Sequence, residues 1–206
     1  GGTNITGPPA ADPNLGIIFV SSKSGCTNTL LAPAIERDHD QQTGKTVVAW
    51  ARGSAVPPGQ GGSPAAEGGG GGGGGAASQT LDGLPLFKGP VGRITAIDLN
   101  TGEHLWVIPH SDAPQAQQDM IRNHPLLRGV PNVDPNFGRS GDSAMLVTPT
   151  MLMATGTLAD NTDVLHAIDK LTGERIASVP TPGRGQYGIM TYMHQGRQYI
   201  IVAVSG

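Results

Sequence analysis

Two carboxylates recur at one place in a repeated phrase, and that recurrence limits the chemistry they can do. Ala96-Ile97-Asp98-Leu99-Asn100-Thr101-Gly102-Glu103-His104-Leu105-Trp106 returns as Ala167-Ile168-Asp169-Lys170-Leu171-Thr172-Gly173-Glu174-Arg175-Ile176-Ala177, with Ala, Asp, Thr and Gly at the same offsets. A carboxylate can serve as acid, base or cation ligand. It can equally fold onto the backbone N–H groups of the turn that follows it, as a threonine hydroxyl can. Catalytic groups rarely recur inside a repeat, so turn capping is the expected role of Asp98 and Asp169.

The other reactive residue types form no constellation. His39, His104, His110, His124, His166 and His194 are scattered, without the close pairing or cysteine partners that zinc requires. Cys26 is the only cysteine, which rules out an internal disulfide; the expected state is a buried inert thiol. The glycine tract at 68–75 lacks the Gly-Lys-Ser/Thr ending of a phosphate loop and has no strand before it. Asp38, His39 and Asp40 read as a solvated turn, and Asn4, behind a glycine pair, reads by itself as a turn residue.

The elements that hold these residues are short strands. Ile94 to Ile97 and Val164 to Ile168 are apolar, β-branched runs. Gly102 and Gly173 supply the φ > 0 residue at which each chain reverses. Strands resume at Leu105 to Ile108 and at Arg175 to Val179. Trp106 stands at the start of its return strand, free to pack onto a neighbouring unit. Ala177 stands there in the second copy, so that contact is reduced or lost. A repeated strand-turn-strand unit points to a radial or stacked β architecture.

Composition agrees. With 32 glycines and 17 prolines in 206 residues, and 4% aromatics, the chain suits many short strands and little helix. A net charge of −3 and a charged fraction of 14% favour neither nucleic acid nor an anionic membrane surface. No apolar run approaches the roughly 18–20 residues that cross a bilayer as a helix. The sequence begins at Gly1 and stops directly after a strong strand, so it is expected to be part of something longer.

Along the chain, Asp12-Pro13-Asn14 signals a turn and Gly16 to Ser21 a buried strand. Residues 23–45 read as polar and irregular, with a second strand at Thr46 to Trp50. From 53 to 80 the composition turns to Gly and Pro, predicting a disordered insertion within one domain. Residues 110–141 are a second irregular stretch, with a short helix within 112–122. Ala144 to Thr148 and Leu152 to Thr155 pair as strands. Ile189 to Met193 and Gln198 to Val204 form a last hairpin. The fold class is all-β.

At this point a family resemblance emerges. The repeated phrase resembles the tryptophan-docking motif of eight-bladed β-propeller quinoproteins, the pyrroloquinoline quinone (PQQ)-dependent dehydrogenases. Gly1-Gly2-Thr3-Asn4, followed by Asp12-Pro13 and Gly16 to Val20, is similar to that family's "GG-x-N-W … DP-x-x-G-x-x-Y-V" segment. Gly92 to Asp98 with Trp106-Val107-Ile108-Pro109 resembles the glucose and quinate dehydrogenase branch. Met190-Thr191-Tyr192 with Gly196 to Val204 is similar to the "P-M-T-Y … G-x-Q-Y-V" of the last blade.

The resemblance implies a partial propeller, with residues 1–206 forming about the last three blades. It implies PQQ and calcium on the propeller axis, with the calcium ligands and the catalytic Asp upstream of this chain. The expected activity is oxidation of a sugar, polyol or cyclic alcohol, with electrons passed to a quinone or cytochrome. A periplasmic location follows, with an upstream inner-membrane anchor left open. Asn4 is the one residue carried over, as a neutral amide able to hydrogen-bond PQQ. Family members usually have Trp after this Asn, where this chain has Ile5. Ser140 to Ser143 is a candidate pocket wall. The alternative is a non-enzymatic propeller scaffold of the outer-membrane assembly lipoprotein type, which the Ile5 and Ala177 departures favour and the Gly-Gly-x-Asn segment opposes. The isolated 206-residue chain is expected to be inactive and poorly soluble or oligomeric.

Overall fold

A computed structural model describes residues 2–3, 8–24, 30–33, 50–53, 80–85, 88–141 and 143–205. The chain divides into two compact units, one of residues 1–26 and 73–206, the other of residues 27–72.

In the larger unit, strands β1 (Gly2–Thr3), β2 (Ala10–Asp12) and β3 (Ile17–Lys23) come first. In the smaller unit, β4 (Leu30–Pro33) pairs antiparallel with β5 (Trp50–Gly53). Strand β4 falls inside the stretch read from sequence as irregular, because only its pairing with β5 gives Leu30-Leu31-Ala32 a ladder partner. The expected second strand meets the described residues at Trp50 alone; residues 46–49, and 54–79 of the Gly-rich stretch, lie outside them.

The larger unit continues with the short hairpin β6 (Thr80–Leu81) and β7 (Leu84–Pro85), then β8 (Gly92–Asp98) and β9 (His104–Pro109). Strands β1 and β2 pair with the two halves of one edge of β3, which is followed by β8 and β9. Helix α1 (Gln115–Arg122) and a 3-10 turn (Pro125–Leu127) follow. The helix begins after Pro114, whose fixed φ suits a helix start better than its interior.

Strands β10 (Met145–Val147), β11 (Leu152–Thr157), β12 (Asp163–Ile168) and β13 (Arg175–Pro180) make a four-stranded antiparallel meander. The hairpin β14 (Arg184–His194) and β15 (Arg197–Ser205) closes the described chain.

The two large sheets share one core. Ile17, Phe19, Ile94 and Ala96 from the first meet Met145, Leu152, Ala154 and Ile168 from the second, with Trp106, Ile108 and Val147 packed around them. Alternation along β3 explains the first contribution: Ile17, Phe19 and Ser21 are buried and their neighbours only partly so. Full burial of side chains such as Phe19 and Leu152 contributes about 1.5–3 kcal/mol each. A second cluster of Val91, Ala113, Ile121 and Phe137, with Leu84 and Met120 against it, seats α1 and the β6–β7 hairpin.

Both copies of the repeated phrase carry the same irregularity. The ladder steps from Ala96–Trp106 to Ile97–His104 and from Ala167–Ala177 to Ile168–Arg175, so Leu105 and Ile176 are the extra residues of equivalent β-bulges.

Candidate functional site

The two ends of the paired sheets differ in kind. Tight connections at 13–16, 99–103, 148–151 and 169–174 close one end; at the other, two long segments, 24–91 and 110–144, leave beside the short turns 158–162 and 181–183.

At the closed end the repeated carboxylates are consumed by the backbone. Asp98 Oδ1 accepts from the N–H of Asn100 at 2.6 Å and of Thr101 at 3.1 Å. Asp169 Oδ1 accepts from Leu171 and Thr172, both at 2.8 Å. Thr101 and Thr172 hydroxyls each accept from the backbone N–H of the glutamate two residues on, at 3.2 Å. Backbone hydrogen bonds from Thr172 and Leu171 hold the Asp169 carboxyl below its ordinary pKa. This is the capping role that the repeat implies.

The closed end also clasps the sheets together. Trp106 Nε1 donates to the Lys170 carbonyl at 3.0 Å, and the indole lies on Gly173, where an added Cβ would come within 2.8 Å of Cδ2. Its other neighbour is Phe19, with ring centroids 5.7 Å apart. The Trp of the first repeat thus crosses to the turn of the second. Lys170 is fixed at its other end: Nζ forms a buried ion pair with Asp12 and donates to the carbonyls of Thr148 at 3.1 Å and Pro149 at 2.8 Å. The Lys170 ammonium is the main cause that holds the Asp12 carboxyl below the usual range; burial opposes it, and hydrogen bonds from Leu15 and Asn14 add to it. Reading the two phrases as equivalent hid this pair. Its one signal was Lys170, a charge at the place where the first copy has Leu99.

At the open end a seam of hydroxyls joins three sheets. Ser143 N donates to Ser21 Oγ on β3 at 3.3 Å, and Ser143 Oγ donates to the Thr155 carbonyl on β11 at 2.7 Å. Thr155 Oγ1 accepts from Ala144 N at 2.9 Å and donates to the Gly185 carbonyl on β14 at 3.4 Å. Ser143 is part of the stretch named as a pocket wall; Asp142 lies outside the described residues. Asn4 lies outside them as well. The strand before it is described: Thr3 pairs with Ser22, the neighbour of Ser21.

A second polar group anchors the 110–144 segment. Asp112 Oδ1 accepts from Arg175 Nη1 at 2.6 Å and Asn136 Nδ2 at 2.9 Å, and its carbonyl accepts from Arg139 Nε at 2.7 Å. His166 is fully buried beside it, with Nδ1 2.7 Å from Ser178 Oγ. Among the described residues no hydrogen-bond partner reaches His166 Nε2, which faces Gly156; a Cβ there would sit 2.6 Å away. Burial, then the charge of Arg175, lowers the His166 pKa to about 4 against a smaller opposing effect of Asp112, so the ring is neutral at pH 7. Among the described residues, no group of three or more His, Cys, Asp or Glu is placed to hold a metal ion.

The described chain is built of successive antiparallel sheets with little helix, and the β-propeller class follows from the family it matches. The family model described as PQQ, glucose/ethanol/alcohol dehydrogenase β-propeller domain, matches residues 1–200, and the chain belongs to that family. It is 33% identical over 126 residues to the glycerol dehydrogenase large subunit of Gluconobacter thailandicus, a match covering 60% of this chain and 16% of that one. It is 26% identical over 127 residues to a Xanthomonas campestris pv. juglandis protein named "Probable quinate dehydrogenase (quinone)", covering 60% and 15%. With quinoprotein glucose dehydrogenase A of Acinetobacter calcoaceticus the identity is 24% over 124 residues, covering 60% and 14%. The matched part is thus about one-sixth of the length of these curated relatives.

Proposed function

We propose that this chain is the part of a quinoprotein dehydrogenase propeller that supplies about its last three blades, and that the whole protein oxidises a sugar, polyol or cyclic alcohol with PQQ. The observation that carries the reading is the family match over residues 1–200. The names of the relatives, glycerol, quinate and glucose dehydrogenases, narrow the substrate to a polyhydroxylated alcohol. In this reading Trp106 on Gly173 is the docking contact between successive blades, and the open end of the sheets is the face that receives cofactor and substrate.

PQQ, when bound, accepts the two electrons taken from the alcohol carbon. The chain's share is to position. PQQ is flat and carries three carboxylates and quinone oxygens, so it asks for neutral and cationic donors rather than acids. At the open end the group that meets that demand is the exposed Arg184 beside Gly141; the buried hydroxyls of Ser21, Ser143 and Thr155 are spent on one another and on the backbone, so they hold the sheets that carry it. Asn4 is the amide assigned to PQQ. Calcium, with its ligands upstream of this chain, a quinone or cytochrome acceptor and a periplasmic location complete the proposal.

The test is the full-length protein reconstituted with PQQ and calcium. The expected result is a bound-quinone absorption band, with dye reduction on glycerol, glucose or quinate. Absence of binding at micromolar PQQ would reject the dehydrogenase and favour a cofactor-free scaffold. Asn4→Ala is expected to weaken PQQ binding; an unchanged affinity removes Asn4 from the site.

A further inference from the structure

Arg184 opens β14 at the end of the sheets from which the long segments leave. Its guanidinium lies against the backbone of Gly141, where an added Cβ would come within 2.5 Å of Nη2. The chain on both sides is anchored. Gly141 leads into the hydroxyl seam at Ser143, and Gly185, next to Arg184, accepts from Thr155. The exposed guanidinium makes no hydrogen bond or ion pair among the described residues.

Among the described residues Arg184 repels a neighbouring cation, Arg139, whose pKa is lowered chiefly by burial and to a lesser degree by this charge. The nearby arginines are already engaged. Arg139 donates to the carbonyls of Asp112 and Leu158 and to Asn161 Oδ1; Arg175 donates to Asp112 and the Pro109 carbonyl. A planar fork of donors thus lies close to a like charge, and among the described residues nothing receives it. A carboxylate matches that fork in geometry and relieves the repulsion.

We propose that Arg184 is a carboxylate-binding residue of the site, an inference that rests on the dehydrogenase reading above. The carboxylate belongs either to PQQ or to an acidic polyol substrate such as quinate, and the two sources are separable.

The experiment uses the full-length protein. PQQ affinity of the apo form is measured by fluorescence quenching for wild type, Arg184→Gln, Arg184→Lys and Gly141→Ala, with thermal melts confirming that each variant folds. Quinate affinity is measured on the holoenzyme, as substrate or as competitive inhibitor, beside the KM for neutral glycerol. If the carboxylate is that of PQQ, Arg184→Gln weakens PQQ binding by roughly 10- to 100-fold, the range of a lost charge-assisted hydrogen bond, and Arg184→Lys recovers part of it. Gly141→Ala, which keeps the charge but pushes the guanidinium aside, is expected to follow Arg184→Gln. If the carboxylate is that of the substrate, PQQ affinity holds, quinate affinity falls by a similar factor and the glycerol KM is unchanged. A wild type that binds PQQ, with an Arg184→Gln variant unchanged in both affinities, overturns the role of Arg184 alone. A wild type that binds no PQQ overturns the dehydrogenase reading and this inference together.

Discussion

Gly102 and Gly173 hold the same place in the two repeats, with φ of +75° and +77°, yet alanine at the two sites meets different surroundings. No described residue lies within 4 Å of a Cβ at Gly102, whereas one at Gly173 would press on Trp106. Gly102→Ala is expected to cost about 1–2 kcal/mol, the left-handed backbone penalty alone. Gly173→Ala pays that penalty and displaces the indole, so its loss in urea unfolding will be larger; equal losses would mean that the Trp contact is slack. His166 makes a pH prediction. Its folded pKa of about 4 lies below the ordinary 6.5, so the unfolded chain takes up the proton first as pH falls. The stabilising effect is complete above about pH 6.5 and declines toward pH 4, by about 3 kcal/mol in total. Unfolding free energies across this range will show the decline in wild type and a flatter profile in His166→Gln; parallel profiles would exclude His166 as the cause. The carboxylates of the repeat were legible as caps from spacing alone, since their partners lie two and three residues away. The neutral state of His166 was not, because its burial comes from β11, β13 and the segment after β9.

The elements carry a different kind of specificity. Asp12 ends β2 in the first sheet and Lys170 follows β12 in the second, so their pair joins sheets rather than neighbours. Lys170→Met leaves the Asp12 carboxylate buried without its counter-charge, and is expected to lower the melting temperature more than the double variant Asp12→Asn, Lys170→Met. A double variant as unstable as the sum of the singles would show the two residues to be uncoupled. Because Asp12 has a lowered pKa, its contribution is complete above the ordinary carboxylate range and is lost as pH falls through the lowered value, which makes this junction acid-labile below about pH 4. Most strands were readable from alternation and β-branched runs; the helix expected within 112–122 is present but starts only after Pro114, at Gln115. Strand β4 was missed because its partner lies beyond a stretch of low-signal sequence. The bulges at Leu105 and Ile176 were missed because a bulge adds a residue without altering composition.

For the whole molecule, the β14–β15 hairpin is the informative surface. Met193 is 65% exposed and Ile201 50%, and Met190, Tyr192, Tyr199 and Ile200 are exposed with them. An uncovered, two-stranded apolar ladder is a template for further association. Expressed by itself, the 206-residue chain is expected to sediment as oligomers at micromolar concentration, and Met193→Lys with Ile201→Lys to shift it toward monomer. A monomeric, cooperatively unfolding wild type would contradict this.

The sequence alone determined the all-β class and the repeated turn, because each depends on local spacing: a carboxylate within reach of its own turn, a glycine where the chain reverses, alternation along a strand; the family was legible in it as a resemblance of several motifs in order. Only the tertiary structure decided what crosses between the sheets. The Trp106 indole on Gly173, the Asp12–Lys170 pair, the hydroxyl seam from Ser21 to Gly185 and the guanidinium of Arg184 over Gly141 join residues far apart in the chain. Such contacts leave no period in the sequence, since their partners become neighbours only once both sheets are built and packed face to face.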